Sequence, residues 1–451
     1  MRGDIIKRSD LETVVSKKKY KSLINQSLLS FKITAEYDQT LDSVTERVNS
    51  GHYSPKRPVG VYSIPKHNYV PRLIPVLSPE DNVLYHYLIK DFEEDLLAHR
   101  PEDVKSFGAY RILKKAIQAE GDRRNKDFVE VDIDDVSVGR FSINKNWFPQ
   151  YSEFQETVKE YFDLDPNKKV FVKTDVANFY DNIDLRLLEN KVRSVLDRSK
   201  LREANLLFKL LQGVNSYAYE YNYQGKGLPQ DETSDCSRLL ANFFLYDFDS
   251  EIDEAANKYG CTYIRYCDDM IVMCDDEISA KKFIHQIAET LNKSSLSLNS
   301  AKTKIFKSRK QFSKYWLHDQ HRLLTDNQSK LGDQKVYDQM QDMVLTYCET
   351  DRGYQLLTRW AKLYSPKMKN DPRLTRLIER TLKLQDPHTA YKYLKNQGNE
   401  TYTDSRLASI YNSYKKSHYT GEYLVLRRLA EKLNKPKFVL KVDNKLKKIF
   451  V

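Results

Sequence analysis

Two short β-forming runs, Tyr263–Tyr266 and Met270–Met273, flank a tight turn that carries Asp268 and Asp269. This pattern restricts the fold more than any other in the chain, because it predicts a β-hairpin over residues 262–273 with both carboxylates at its tip. Adjacent carboxylates repel each other unless a cation lies between or near them. The segment therefore indicates a cation site at the end of a hairpin.

A second aspartate follows another predicted strand. Val170–Val172 is an apolar run typical of a short buried strand, and Asp175 comes just after it, before the aromatic pair Phe179 and Tyr180. Phosphoryl transfer to a 3′-hydroxyl uses two metal ions about 4 Å apart, and carboxylate oxygens suit Mg²⁺. Aspartates at the ends of adjacent strands are the simplest ligands for such ions. Either motif alone is more often structural, but their joint occurrence favours a nucleotidyl-transfer site.

The chain as a whole is basic, and residues 421–451 supply more than half of the excess. It contains 74 Lys and Arg against 63 Asp and Glu, a net charge of +11, and this surplus favours a polyanionic partner. Residues 421–451 hold nine Lys or Arg and three acids, which supply +6 of that charge. A length of 451 residues predicts two or three domains.

The cysteine pattern and the hydropathy of the chain indicate the cellular compartment in which the protein is expected. The five cysteines form no CxxC pair, which argues against a disulfide framework or a zinc site and favours a reducing cytoplasm. No apolar run approaches the ~18 residues needed to span a membrane, and residues 1–11 lack the apolar stretch of a signal peptide. The sequence predicts a cytoplasmic protein with no membrane partner.

Hydrophobic periodicity and turn residues divide the chain. The segments expected are polar helices over 1–50, Pro-rich strands and turns over 52–80 and an irregular insertion over 121–150. Helices are predicted over 81–98 (capped by Ser78, with Pro79 at its first position), 185–212, 237–256 and 280–291. From about residue 316 the pattern is helical and basic. The predicted domains are 1–50, 51–310 and 311–451.

The order of these motifs resembles that of the reverse transcriptase family. The segment around Asp175 resembles motif A, and Tyr266–Asp269 resembles the YxDD box of motif C. Further matches are the fingers motif Ser106–Arg111, motif B at Gly227–Gln230 with Ser237 and Leu240–Asn242, and motif D at Leu298–Thr303. The resemblance covers residues 50–310. It implies an α+β fold with a right-hand polymerase core of fingers and palm, an antiparallel palm sheet and a mostly α-helical C-terminal domain in the thumb position.

The resemblance also implies roles at the reacting centre. Asp175 and Asp268 would bind two Mg²⁺ ions, with Mn²⁺ able to substitute, and Asp269 would be the supporting carboxylate. The backbone carbonyl of Val176 would also reach a metal ion. Lys302 would lie near the triphosphate as electrostatic support or general acid.

Four residues are implied to bind the incoming dNTP. Lys66 and Arg72 would grip its triphosphate, Tyr180 would exclude a ribose 2′-hydroxyl, and Gln230 would line the pocket of the nascent base pair. The alternative for Tyr180 is core packing. Asp231 stands where motif B of the family usually has a glycine, a departure that affects the template contact and not the metal site.

A further set of residues is predicted to contact nucleic acid. Arg111 and Tyr266 lie within the motifs, and the basic tail adds Arg427, Arg428, Lys432 and Lys437. Phosphate contacts by such a tail would make RNA binding salt-sensitive. The alternative for the tail is a solvated helical face.

Within the family, these features look most like the bacterial defence-associated branch, which comprises the UG and abortive-infection enzymes, and in particular its class 2 defence-associated type. That resemblance implies antiphage defence in which RNA, a dedicated noncoding RNA in particular, is copied into cDNA from dNTPs.

Three alternatives stay open. An RNA-dependent RNA polymerase shares the palm, although Tyr180 argues against it. Template-independent or protein-primed DNA synthesis is the second alternative. The third is an RNA-binding scaffold or toxin with a vestigial palm, against which the intact Asp175, Asp268 and Asp269 argue.

Overall fold

The computed structural model describes most of the chain. The described residues are 5–65, 71–109, 112, 117–119, 128–130, 147–218, 227–230, 236–330, 332–348, 350, 352–364, 394, 400–415 and 419–448. They form two compact units: the first holds the described residues of 5–61 and 73–309, and the second holds those of 62–72 and 310–448. The division into three domains that the sequence suggested stays a prediction.

The described residues contain strands and helices in the following order. The strands are β1 (Gly60–Pro65), β2 (Pro71–Val76), β3 (Ser106–Phe107), β4 (Ile117–Ala119), β5 (Phe128–Glu130), β6 (Val170–Asp175), β7 (Thr262–Tyr266), β8 (Asp269–Cys274) and β9 (Lys304–Phe306). The helices up to the sheet's last strand are α1 (Arg8–Val14), α2 (Lys17–Gln26), α3 (Tyr37–Asn49), α4 (Pro79–Leu97), α5 (Trp147–Leu164), α6 (Phe179–Asn182), α7 (Leu185–Val195), α8 (Leu201–Ala218), α9 (Cys236–Phe244), α10 (Tyr246–Lys258) and α11 (Glu277–Lys293). After β9 come α12 (Arg309–Trp316), α13 (His318–Asp326), α14 (Gln334–Tyr347), α15 (Gly353–Tyr364), α16 (Glu400–Tyr414), α17 (Thr420–Lys432) and α18 (Pro436–Lys447).

A five-stranded sheet forms the centre of the first unit. Its strands lie in the order β3-β7-β8-β6-β9, and the pairs β7–β8, β8–β6 and β6–β9 are antiparallel. The edge strand β3 pairs parallel with β7, with Ser106 opposite Arg265. The predicted α+β class, antiparallel sheet and helical C-terminal region are confirmed, and the parallel edge strand is a feature that the sequence did not reveal.

Helices cover this sheet with apolar side chains. Helix α5 packs against β3 and β7, and α10 and α11 pack against β7 and β8. Phe171, Val172, Ile264 and Val272 are all buried, as the apolar strand runs predicted. Burial on both faces explains why these strands read as continuous apolar runs rather than as alternating ones.

Helix α4 begins where the sequence predicted. The side chain of Ser78 accepts a hydrogen bond from the backbone N–H of Asp81 at 3.1 Å, and Pro79 occupies the first helical position. Such a cap satisfies one of the N–H groups that the first turn leaves without a helical partner, and proline has no N–H to leave unpaired.

Two predicted helices are each divided in two, which corrects the sequence-based prediction. The segment 185–212 forms α7 and α8, because the carboxylate of Asp197 accepts from the backbone N–H of Ser199 at 2.8 Å and so competes with the helical ladder. The segment 237–256 forms α9 and α10, and the break falls at Leu245, whose backbone leaves the helical region (φ −92°, ψ 1°). Apolar periodicity continues across both breaks and therefore could not reveal them.

The predicted irregular insertion at 121–150 lies mostly outside the described residues. In its described part, β5 pairs antiparallel with β4, and α5 begins at Trp147.

The second unit includes one end of β1 together with the C-terminal helices. The backbone N–H of Ser63 donates to Oγ1 of Thr420 at 3.0 Å. Gly421 lies so close to β1 that an added Cβ would come within 2.4 Å of Cγ2 of Ile64. Glycine is therefore required at the start of α17 for this contact.

No helix among the described residues combines the length and the apolarity needed to cross a membrane.

His86, on α4, gives the first unit a predictable dependence on pH. Its side chain is buried, and burial, with a smaller contribution from Lys19, lowers its pKa from 6.5 to about 3. Between these values the unfolded chain binds a proton that the folded chain does not, so stability falls as the pH drops below about 6.5. We expect the loss to approach about 1.4 kcal/mol per pH unit, and His86→Gln should reduce the slope in urea unfolding between pH 7.5 and 5.

His52 is the matched control, since its side chain is exposed. His52→Gln should leave the pH slope unchanged. Equal slopes in the wild type and His86→Gln would contradict the assignment to His86.

Candidate active site

The end of β6 and the β7–β8 turn bring three aspartates together. Asp175 is the last residue of β6 and pairs with Asp269, the first residue of β8. The backbone N–H of Val176 donates to the carbonyl oxygen of Asp268 at 3.2 Å. The backbone therefore places the three aspartates that the sequence singled out at one end of the sheet.

The chain after α11 runs beside the end of β6 and positions Lys302. The backbone N–H of Ala177 donates to the carbonyl of Ser297, and the N–H of Asn299 donates to the carbonyl of Asp175, both at 2.8 Å. This arrangement leaves the Lys302 ammonium 2.7 Å from Oδ2 of Asp175. The predicted motif D lysine is thus in direct contact with the predicted motif A aspartate.

A second lysine, which the sequence did not single out, pairs with Asp269. Lys173 lies on β6, and its Nζ donates to Oδ1 of Asp269 at 2.5 Å. The signal was its position two residues before Asp175, because alternate residues of a strand share one face. Each lysine offsets part of the negative charge that the aspartates bring together.

The two lysines do not provide a hydrogen-bond partner for every carboxylate oxygen of the site. Asp175 is buried, and among the described residues its Oδ1 has no hydrogen-bond partner. Burial, together with the charges of Asp269 and Asp175, raises the pKa of Asp268 to about 6. A buried carboxylate oxygen without a partner and a carboxyl group with a raised pKa are both conditions that a bound cation would relieve.

These observations fit a site for divalent metal ions, which the reverse transcriptase resemblance implies. The donors available are hard carboxylate oxygens, as Mg²⁺ and Mn²⁺ prefer. In the described part of the chain, no three His, Cys, Asp or Glu side chains already form a metal-binding cluster. Asp175 and Asp268 are the side chains that would hold the ions, after Lys302 has moved away from Asp175.

Hydrogen bonds join the segment that carries Tyr180 to the segment that carries Gln230. Tyr180 lies on α6 and is partly buried, with its ring 5.6 Å from that of Phe179. Its backbone carbonyl accepts from the N–H of Leu228 at 2.8 Å, and Nε2 of Gln230 donates to Oδ1 of Asp181 at 3.0 Å. The motif B segment is therefore anchored on the short helix that carries Tyr180.

Gly227 is required for this anchoring. Its φ of +91° lies in the region that favours glycine, and its N–H donates to the carbonyl of Ile183 at 2.7 Å. An added Cβ would lie 3.3 Å from the carbonyl oxygen of Asp181.

Tyr266 packs against aromatic side chains of α5. Its ring centroid is 5.1 Å from that of Tyr151 and 5.7 Å from that of Phe154. Burial raises the pKa of Tyr266 above its ordinary value, so the phenol stays protonated. Its predicted contact with nucleic acid remains a prediction.

Three residues of interest fall outside the described residues: Lys66, Arg111 and Asp231. Arg72 lies on β2 within the second unit and is partly buried. Triphosphate binding by Lys66 and Arg72 therefore stays a prediction.

The basic tail is less available for contacts with nucleic acid than its sequence suggests. Arg427 is buried, and its guanidinium donates to Asp443 at 2.5 Å and to Glu431 at 2.6 Å, so it is engaged inside the unit. The side chain of Arg428 is 17% exposed, and Lys432 is partly buried, whereas Lys437 is exposed. These positions disfavour a phosphate contact by Arg427 and leave Lys437 as the open candidate.

The charge cluster predicts that Asp268 lowers the stability of the metal-free protein. Its folded pKa of about 6 lies above the ordinary value of 3.8, so the cost is absent below pH 3.8 and complete above pH 6. We expect Asp268→Asn to raise the free energy of unfolding by on the order of 1–2 kcal/mol at pH 8, in EDTA, and to change it little at pH 4. Urea unfolding of the wild type and of Asp268→Asn at both pH values measures the difference in the free energy of unfolding.

Glu254→Gln, at an exposed position of α10, is the control and should have no effect at either pH. Excess Mg²⁺ should stabilise the wild type more than Asp268→Asn, because a ligand that binds only the folded state stabilises it. A variant less stable than the wild type at pH 8 would contradict the assigned repulsion.

Comparison with known proteins identifies the domain that contains this site. Residues 110–323 match the family model described as reverse transcriptase (RNA-dependent DNA polymerase). Among solved structures, the chain is similar to telomerase from Candida albicans in complex with a TWJ fragment of telomeric RNA, with 11% identity, a TM-score of 0.37, and coverage of 85% of this chain and 65% of that chain. It is also similar to apo telomerase from Candida tropicalis, with 11% identity, a TM-score of 0.34, and coverage of 86% and 64%.

The chain thus spans less than two thirds of either telomerase chain. The family match includes Asp175, Asp268, Asp269 and Lys302. The chain therefore contains a reverse transcriptase domain, the domain of RNA-directed DNA polymerases, and the candidate active site lies within it.

Proposed function

We propose that this protein copies RNA into DNA by adding dNTPs to a 3′-hydroxyl and releasing pyrophosphate. The observation that carries the proposal is the strand register that sets Asp175 opposite Asp269 and beside the Asp268 turn, inside the reverse transcriptase domain. Carboxylates on adjacent strands, one with an unsatisfied buried oxygen, are what metal-assisted nucleotidyl transfer requires of a protein.

Two Mg²⁺ ions, with Mn²⁺ able to substitute, are proposed to bind Asp175 and Asp268. Asp269 supports them, and the carbonyl of Val176 is a further oxygen donor. Such ions, when bound, lower the pKa of the 3′-hydroxyl and stabilise charge on the triphosphate. The chain's own contribution is preorganisation, because the sheet holds the carboxylates in register before nucleotide binds.

Lys302 is proposed to change partners during the reaction. Its side chain is 59% exposed, so it can move away from Asp175 without disturbing the core. A cation bound by Asp175 would repel the ammonium group and release it toward the triphosphate. There Lys302 would provide electrostatic support or act as general acid.

Tyr180 and Gln230 are proposed to bind the incoming nucleotide. Their anchoring on one short helix supports a shared role, since a single backbone element positions both side chains. The ring of Tyr180 would exclude a ribose 2′-hydroxyl, and Gln230 would line the pocket of the base pair. Lys66 and Arg72 are proposed to grip the triphosphate.

The template is proposed to be a dedicated noncoding RNA, and the setting to be antiphage defence in the cytoplasm. The motif resemblance to the class 2 defence-associated type and the net charge of +11 support this proposal. Arg111, Tyr266 and Lys437, of which Lys437 is exposed, are proposed to contact nucleic acid.

Sugar selection tests the assignment of Tyr180. We expect Tyr180→Ala to raise incorporation of NTPs relative to dNTPs by tenfold or more, because the ring that excludes the 2′-hydroxyl is lost, at about 1.4 kcal/mol per factor of ten. Primer extension on an RNA template with each nucleotide set measures the ratio.

Tyr180→Phe keeps the ring and should retain the wild-type preference. If Tyr180→Ala keeps that preference too, Tyr180 is a packing residue. A wild type that prefers NTPs would favour the RNA polymerase alternative.

Sequencing of nucleic acid that co-purifies with the protein from its native host tests the template. We expect one noncoding RNA to be enriched with both the wild type and an Asp268→Ala, Asp269→Ala variant. Complementary cDNA should appear with the wild type alone, because synthesis depends on the two carboxylates.

If the cDNA stays attached to the protein through phenol extraction, protein-primed synthesis is favoured instead. If no cDNA depends on the two aspartates, the polymerase proposal fails and the RNA-binding scaffold becomes the better explanation.

A further inference from the structure

One guanidinium group, that of Arg265 on β7, lies fully buried next to the turn that carries Asp268. Its Nε donates to Oδ1 of Asp249 at 2.7 Å, and Nη2 donates to the other carboxylate oxygen of Asp249. Its Nη1 donates to Oδ1 of Asn242 at 2.9 Å and to the carbonyl oxygen of Cys267 at 2.7 Å. The side chain therefore joins α9, α10 and the apex of the β7–β8 turn.

The partners of Arg265 are themselves fixed. Asp249 is fully buried and also accepts a hydrogen bond from the hydroxyl of Tyr263 at 3.2 Å. Asn242 is buried, and among the described residues its Nδ2 has no hydrogen-bond partner, so its contribution to this network is the oxygen that faces Arg265. An added Cβ on Gly108 would lie 3.1 Å from the Asn242 side chain, which shows how closely the backbone beside β3 approaches this side chain.

The turn needs such a support. Cys267 has a φ of +51°, a left-handed conformation that non-glycine residues adopt at some cost. Its N–H donates to the carbonyl of Phe107 at 3.0 Å, and its carbonyl accepts from Arg265. Both polar groups of Cys267 are thus held, and the next residue along the chain is Asp268.

Stability alone does not explain this arrangement. A buried ion pair often contributes little net stability compared with apolar side chains of similar volume, because removing two charges from water is costly. The planar guanidinium can reach a carboxylate, an amide oxygen and a backbone carbonyl together, which a lysine ammonium cannot do with the same geometry. The network is suited to holding one turn conformation.

We propose that Arg265 is a positioning residue that acts through the carbonyl of Cys267 and holds Asp268 in the orientation that binds metal. Asp249 and Asn242 position Arg265 in turn. This inference rests on the proposed function of the aspartates, and it assigns a role in metal binding to three residues outside the metal site: Arg265, Asp249 and Asn242.

The test compares Arg265→Lys with a control variant, Lys168→Gln, which changes another buried cation at the other end of the same hairpin. Lys168 is buried, and its ammonium pairs with Asp275 at 2.9 Å and with the carbonyl of Gly260 at 2.6 Å, next to the ends of β7 and β8 that lie away from the turn. Lys168→Gln thus removes a buried cation and its carboxylate contact without touching Cys267. Both variants are expected to lower the melting temperature.

The affinity of the metal-free protein for Mn²⁺ distinguishes a residue that positions Asp268 from a residue that only stabilises the fold. It is measured by electron paramagnetic resonance at a temperature where each variant is folded. We expect Arg265→Lys to weaken Mn²⁺ binding by about tenfold or more, and to lower kcat with little change in the KM for dNTP. Lys168→Gln should keep Mn²⁺ affinity within about twofold of the wild type.

If Arg265→Lys does not fold, Asn242→Ala provides the second variant, since it removes one contact of Arg265 and leaves the ion pair with Asp249 intact. It should weaken Mn²⁺ binding in the same direction by a smaller factor. Wild-type Mn²⁺ affinity in the folded Arg265→Lys or Asn242→Ala variant would overturn the positioning role. A wild type that binds no Mn²⁺ and extends no primer would instead overturn the proposed function itself.

Discussion

Strand β6 pairs antiparallel with β8 so that Asp175 lies opposite Asp269, and the chemistry of the site depends on this register. Because side chains alternate between the two faces of a strand, a slip of one residue would turn Asp175 to the opposite face from Asp269. The buried strand residues Phe171, Val172 and Val272 oppose such a slip, since each would have to pack against the neighbours of the opposite face. The apolar core therefore sets the geometry of the carboxylates.

The site combines this rigidity with an electrostatic cost. The fold brings three carboxylates together and offsets them with two lysines, Lys173 and Lys302, of which only Lys173 is largely covered. The two lysines differ in how exposed they are to solvent. Lys173 pairs with Asp269 and is mostly covered, whereas Lys302 pairs with Asp175 and is 59% exposed. A bound cation would offset the repulsion that the two lysines leave between the carboxylates.

Local sequence signals predicted the elements that depend on neighbouring residues. The hairpin at 262–273 and the Ser78 cap follow from short motifs, and the structure contains both. The breaks at Asp197 and Leu245 were missed because apolar periodicity continues through them.

Contacts between distant residues could not be predicted in the same way. The parallel strand β3 and the pairs that Lys173 and Arg427 make depend on register or on packing between helices. The position of Asp175 after a strand could be predicted from sequence, but the oxygen that it leaves unpaired could not. Arg427 carried the right charge for a phosphate contact, yet its partner Asp443 lies on the next helix and engages it.

The contact between Ser63 and Thr420 has a consequence for synthesis of the chain. The two residues are 357 positions apart, so β1 cannot complete its packing until the ribosome has added residue 420. At roughly 5–20 residues per second, the wait is roughly 18 to 70 s. During that time Tyr62 and Ile64, which end up buried, lack the helix that carries Gly421. The nascent chain therefore carries β1 with part of its apolar surface uncovered until residues 420 and 421 have been synthesised.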